Sequence, residues 1–400
     1  IVAVTGSVGV GSGPNSKAGL AGTVTVNRIA NVIEAKIIDS TFHADSTGDI
    51  TVSATDNSFI FSFAGAFGAS KSVGLGVAAA VNLLDNTISA EVINSTLRST
   101  GSLDVNADAT GTLVSVALGV GAGQQFAGAG SIALNIIDND IDAQILDGSD
   151  IKVGKAIDIS ADDHSVAVAI GGGAAFGKTA AIGAAFAGSF ITNTLTAKVD
   201  DSLVESTGST AALGAEARAT LVSIAIGGAG SQTFALGGSI SVNQVENSIE
   251  ALVTDANGAG TGKATLLKAK NDISIAASDD TTMVIVAGGL AFAQTAAIGV
   301  SASTAQVQNK VHAYIDASTV ESTNGKISVT AGFKPPDTDA DMKAIALGTN
   351  GIEMPEAAGS QIVNIAVGVA GSGTFAGGGA FSLNWIRNDV QAHATNSAVV

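Results

Sequence analysis

The chain has 400 residues, of which 50 are Gly, one is Trp, one is Tyr and none is Cys. The missing Cys excludes disulfides, thiolate metal sites and Cys nucleophiles. A balance of 18 Lys+Arg against 35 Asp+Glu, net −17, argues against a nucleic-acid partner, which needs a clustered basic surface. With 46% hydrophobic but only 13% charged residues, the chain is too apolar for disorder and too sparsely charged for an ordinary globule, so it must hide much of its length.

The sequence starts at Ile1 without a charged leader and stops in mid-pattern at Val400, which reads as a window cut from a longer protein. Uncharged runs at 219–245 and 357–386 exceed the roughly 20 residues that span a bilayer. Gly every few residues, and Gln232 and Asn364 in mid-run, argue against membrane helices. One Trp and one Tyr are too few for the aromatic girdles of a transmembrane barrel. No membrane insertion is expected.

One segment recurs along the chain: VNRIANVIEAKI, VNLLDNTISAEV, LNIIDNDIDAQI, GSFITNTLTAKV, VNQVENSIEALV, TAQVQNKVHAYI and LNWIRNDVQAHA. Its anchors, Asn31, Asn86, Asn139, Asn193, Asn247, Asn309 and Asn388, are spaced by 55, 53, 54, 54, 62 and 79 residues, a period of 54 with two insertions. Within it the parity is two: Asn135, Ile137, Asn139, Ile141, Ala143 and Ile145 share one face, and Ile136, Asp138, Asp140, Asp142 and Gln144 the other. That predicts a half-buried strand. A buried amide is costly unless bonded, so an asparagine ladder is expected, each amide bonded to the next at the strand spacing; local capping of a bend is the alternative.

A turn follows at Asp39, Asn94, Asp147, Asp201, Asp255 and Asn396, and then a corner rich in Ser and Thr leads to a short second strand such as GSLDVNA or KAIDISA. Next comes an apolar ribbon, VSVALGVGAG in one copy, whose faces differ in bulk: Val114, Val116, Leu118 and Val120 against Ser115, Ala117, Gly119 and Gly121. The chain then returns into the next Asn strand. Phe placement alternates between odd copies (Phe126, Phe234, Phe375) and even copies (Phe67, Phe176, Phe292), which superimposes a period of about 108 residues.

Serial strands with corner Asp and Gly predict an all-β parallel solenoid of seven repeats of about 54 residues, one coil per repeat. It forms a single continuous segment over 1–400, with a loop excursion at about 332–358 that holds Pro335, Pro336 and Pro355. The segments STFHADSTGDITVSATD, STLRSTGSLDVNADA and STVESTNGKISVTAG resemble rungs of filamentous-haemagglutinin-type β-helices, and the GVGVA…VNxIxN unit resembles repeats of large bacterial leukotoxin-type filamentous adhesins. That resemblance implies a secreted or surface-anchored protein, with a structural or adhesive role and no catalytic residues.

Few chemical constellations stand out. Asp138, Asp140 and Asp142 are a weak Ca²⁺ candidate, weighed against a solvated acidic edge that blocks aggregation; no cofactor is otherwise expected. His43, His164, His312 and His393 are scattered and read as surface residues. No nucleophile elbow or phosphate loop is present.

The expected function is a structural rod of an extracellular or cell-surface bacterial fibre. Its expected partners are copies of itself, with a host receptor or glycan as the adhesive alternative, its contact on the loop from Lys334 to Glu356. A carbohydrate-active β-helix enzyme stands further off. With the bulky ribbon face turned into the coil, the small face would be the assembly surface: Ser115, Ala117, Gly119, Gly121, Ser223, Ala225, Gly227, Ala366, Gly368 and Ala370. A second layer of the same chain is the other candidate to cover it.

Overall fold

Side-chain alternation at period two runs through nearly every strand of the computed structural model, which describes residues 1–13, 16–43, 48–256, 264–333 and 360–400. One coil shows the plan. Leu103–Gly123 rises in a first sheet, the chain turns at Gln124 and Gln125, and Phe126–Leu146 descends in a second sheet. Asp147 turns the corner, Asp150–Val153 adds to a short third sheet, and Ile157–Gly177 begins the next coil. All pairing between coils is parallel, and the result is a parallel β-solenoid.

The register follows the sequence period: Asn86 pairs with Asn139, Asn139 with Asn193, and Leu103 with Ile157. The first sheet contains Val2–Gly11, Ile50–Ser70, Leu103–Gly123, Ile157–Gly177, Ala211–Gly230 and Ile273–Phe292. Ile273–Phe292 then pairs with Ile327–Phe333 along one half and with Gln361–Gly371 along the other. The expected loop excursion interrupts the strand there, and residues 334–359 lie outside the described residues.

Two expectations change. GSLDVNA and KAIDISA are not separate short strands but the first third of 21-residue strands that continue into the apolar ribbon. The short strands are the corner segments themselves, Thr96–Ser99, Asp150–Val153 and Leu203–Ser206 among them. No chain break divides corner from ribbon because alternation never fails between Leu103 and Gly121. The corners take left-handed backbone at Asp39, Asn94, Asp147, Asp201 and Asn396, as Asn and Asp tolerate. Ala317 holds that conformation in the sixth copy, with φ 52°, whereas Asp255 is not among the positive-φ residues.

The core changes character along the coil. Where three sheets enclose a triangular base, it is built of Ile, Val, Leu and Ala, such as Leu103, Ile141, Ile145, Ile151 and Ile159. Above the base, Ile60, Leu84, Leu113, Ile137 and Ile191 form a second, narrower layer. Higher still, only the first and second sheets remain, and the buried hydrophobic residues between them are all Ala. This upper half is a thin two-sheet fin standing on a triangular prism.

The fin is thin because its interior side chains are small, Ala and Ser beside Gly. A Cβ on Gly119 would lie 2.1 Å from the carbonyl oxygen of Gly130, and one on Gly227 1.8 Å from that of Gly238. The two backbones are in direct contact, far closer than the ~10 Å of ordinary stacked sheets. Gly at these positions is a requirement of that approach.

Candidate interaction surface

The close approach decides which way the ribbon faces, and it reverses the expected assembly surface. Ser115, Ala117, Ser223 and Ala225 are fully buried, at 0% exposure. Gly119, Gly121 and Gly227 are buried with them, and Ala366, Gly368 and Ala370 take the same inward side on the last coil. Sheets in backbone contact have no room for Val or Leu between them, so the small residues turn in and the bulky ones out. What covers the Ala/Gly face is the second sheet of the same chain. A charge placed at Ala117 or Ala225 would enter the fin core instead of marking an outer surface.

The outer surface is therefore apolar on both sides. On the first sheet Phe59, Leu118, Phe176, Ile226 and Phe292 are exposed, and on the second sheet Val77, Ile132, Ile240, Val300 and Phe381. Among the described residues the outward fin positions of both sheets carry no charge except Arg28 of the first coil, in register with Ile136 at the lower limit of the second sheet's band. Charges begin just beneath, with His164, Arg218 and Asp280 at one level of the first sheet, and Asp85 and Asp138 at one level of the second. At the upper rim the turns expose Lys17, Lys71, Gln124, Lys178, Gln232 and Gln294.

The Phe superperiod becomes geometry at this rim. Along the second sheet Phe126, Ala180, Phe234, Ala296 and Phe375 stand in successive coils, and along the first sheet Phe176, Gly230, Phe292 and Gly371. Each ring thus borders a small residue in the next coil. A Cβ on Gly230 would touch the Phe176 ring at 3.5 Å.

Beneath the fin lies a buried polar layer. The seven Asn anchors stack along it, and their bonding is not amide to amide. The backbone N–H of Asn31 donates to Oδ1 of Asn86 (2.9 Å), that of Asn139 to Asn193 (3.0 Å), and that of Asn193 to Asn247 (3.2 Å). Asn247 donates likewise to Asn309, and Asn309 to Asn388, both at 2.9 Å. The amide oxygens of Asn86, Asn193, Asn247, Asn309 and Asn388 thus serve the backbone of the preceding coil, whereas that of Asn139 is buried without a partner. Amide-to-amide bonds occur four residues upstream, where Asn27 Nδ2 donates to Asn82 Oδ1 (3.0 Å) and Asn82 Nδ2 to Asn135 Oδ1 (3.1 Å).

The Nδ2 groups of the first four anchors meet aspartates that the sequence reading missed, while Asn309 Nδ2 donates to Thr281 (3.1 Å) and Asn388 Nδ2 to Ser360 (3.2 Å). Asp56 accepts from Nδ2 of Asn31 and of Asn86, one per carboxylate oxygen, both at 2.9 Å. Asp163 does the same for Asn139 (3.2 Å) and Asn193 (2.8 Å). In register along the first sheet the residues run Asp56, Ala109, Asp163, Ala217, Asp279. One carboxylate serves two coils, so an Asp is needed in every second coil only. Burial pushes the Asp163 carboxyl up to about 7, against the pull of Ser165, Asn139 and Asn193. Burial likewise raises Asp279 to about 6, opposed by Asn309, Thr281 and Asn247. The alternation Asp56, Asp163, Asp279 was the available signal, visible beside the Phe superperiod.

The remaining candidates do not converge. Asp138, Asp140 and Asp142 run along one outward strand face, and Asp142 accepts from Gln144 Nε2 at 2.6 Å. Among the described residues no three His, Asp or Glu side chains are placed to share a metal ion. His312 is not a surface residue, being only 9% exposed beside Asp389, and the His393 ring stacks on Tyr314 at 5.2 Å. A recess near the first coil, lined by Phe42, Gly48, Asp49, Ile50 and Leu97 among others, has Asp49 as its titratable group. The loop from Lys334 to Glu356 lies outside the described residues.

Comparison with protein-family models, with curated proteins and with solved structures yields no match.

Proposed function

We propose that this chain is a structural segment of an extracellular or bacterial cell-surface filament, and that its working surface is the apolar fin. The observation that carries this reading is repetition. Every coil places the same apolar, two-sided fin on the same polar base, so lengthening the solenoid multiplies a surface and not a cleft. Each fin face spans seven strands, about 30 Å, and about ten residues of height, giving roughly 900 Å². Soluble monomers rarely expose more than a few hundred Å² of contiguous apolar surface. The resemblance of the corner segments to filamentous-haemagglutinin-type rungs supports the same reading.

Sedimentation velocity tests it. The purified chain should form multi-chain species in plain buffer and single chains in mild detergent. A double variant with one charge per face, Leu118→Glu with Ile240→Glu, should remain monomeric in both, because both side chains point outward. A native chain that is monomeric in plain buffer sinks the filament reading.

A further inference from the structure

The fin has two apolar faces, and a second copy packed on one of them leaves the other in water. An isotropic apolar medium covers both. We infer that the medium is a lipid bilayer, which the fin enters edge-on with its turns leading; this rests on the reading of the fin as the working surface.

Four observations converge. The apolar band runs from Val166 to Phe176 on the first sheet and from Phe126 to Ile136 on the second. Ten residue steps at about 3.3 Å make it about 33 Å tall, against a hydrocarbon core of about 30 Å. The band is polar at both limits: Lys17, Lys71 and Lys178 at the turns, and Asp85, Asp138 and Arg218 at the base. Long cationic side chains at the leading rim can reach the far headgroups. Backbone groups inside the band are paired from coil to coil, which hydrocarbon demands of any segment it holds. Among the described residues the cost of unpaired edges falls on the two end coils, not on the repeats between them.

The fourth observation is the order of side chains. Small residues inside and large apolar residues outside invert the pattern of a water-soluble sandwich. They match what packs in lipid, where burial of apolar groups gives no advantage and close backbone approach holds elements together. Frequent Gly and a single Trp and Tyr tell against membrane helices and barrels, and a two-sheet fin is neither. Among the described residues no helix is long and apolar enough to cross, but that says nothing of strands.

The single Trp is a built-in depth probe. Trp385 points outward on the second sheet, in register with Gln306 at the base of the fin. The purified chain is mixed with vesicles of phosphatidylcholine containing phosphatidylglycerol and floated on a density gradient. Quenching by lipids brominated at different depths is then read for Trp385 and for two variants, Trp385→Phe with Ile240→Trp and Trp385→Phe with Phe176→Trp. The native chain should float. The Trp at 240 should be quenched best from the bilayer centre, and those at 385 and 176 from near the headgroups. Leu118→Glu with Ile240→Glu should abolish flotation with an unchanged far-ultraviolet dichroism spectrum. Flotation with all three positions equally shallow overturns edge-on insertion. Self-association without flotation also overturns it, and makes a second copy the partner of the fin. A chain that neither floats nor self-associates removes the working-surface reading as well.

Discussion

Asp163 shows how one buried side chain can serve two coils. It is 3% exposed, yet its two oxygens accept from Asn139 and Asn193, and Ser165 donates as well, at 3.0 Å. Asn193 in turn accepts the backbone N–H of Asn139. Replacing Asn193 by Leu removes a donor from a buried carboxylate and an acceptor from a buried N–H, each costing about 1–3 kcal/mol. Asn193→Leu should therefore lower stability by several kcal/mol, read from a urea denaturation midpoint. Asp140→Ala, on the exposed face of the neighbouring coil, should change it little.

The same carboxyls set a pH dependence. In the folded chain Asp163 titrates at about 7 and Asp279 at about 6, above the 3.8 of a free Asp. The folded state therefore holds more protons between pH 3.8 and about 7. Stability from these groups is complete below that window and is lost as pH rises through it. The urea midpoint should fall as pH is raised from about 4 to about 7, and Asp163→Asn should flatten that fall. An unchanged slope in the variant would show that Asp163 is not the titrating group.

At the scale of the element, the fin strands are governed by how near the opposing sheet lies. Inward Gly119 faces the backbone oxygen of Gly130, while outward Gly214 has nothing within 4 Å of its would-be Cβ. Overpacking of a close-packed interior costs about 1–3 kcal/mol. Gly119→Ala should cost at least that, since carbonyl backbone cannot rotate away. Gly214→Ala should be neutral. Equal denaturation midpoints for the two variants would mean that the sheets are not in contact. The interior of Ala, Gly and Ser carries little of the burial energy that the Ile and Leu of the base supply, so the fin depends on its pairing from coil to coil.

Across the whole molecule, polarity is divided by height. The base carries charge and ion pairs, such as Arg98 with Asp150 and Lys152 with Glu205, on a large aliphatic core. Surface pairs of this kind contribute little to stability, but they keep the base solvated. Among the described residues the fin faces are uncharged apart from Arg28 at the lower limit of the first coil, and the other fin charges lie at the turns. A rod built this way is amphipathic along its full length, because each coil repeats both halves in register.

The sequence by itself determined the solenoid, its period and its register. Parity of two along the Asn strand, with Asn anchors 53 to 55 residues apart over the first five copies, admits one parallel stacking, since a one-residue slip would turn every Ile outward. The corner Asp and Asn were legible for the same local reason, the left-handed backbone they tolerate. The facing of the ribbon was not legible. Val114 and Ser115 lie on opposite faces that are both uncharged, so polarity could not choose between them. Only the contact of Gly119 with the Gly130 backbone decides it, because two sheets that close exclude any large side chain between them. The partner of each anchor amide was hidden likewise: Asp163 lies 24 residues from Asn139 and 30 from Asn193 in the chain, and only the closure of the coil brings the three together.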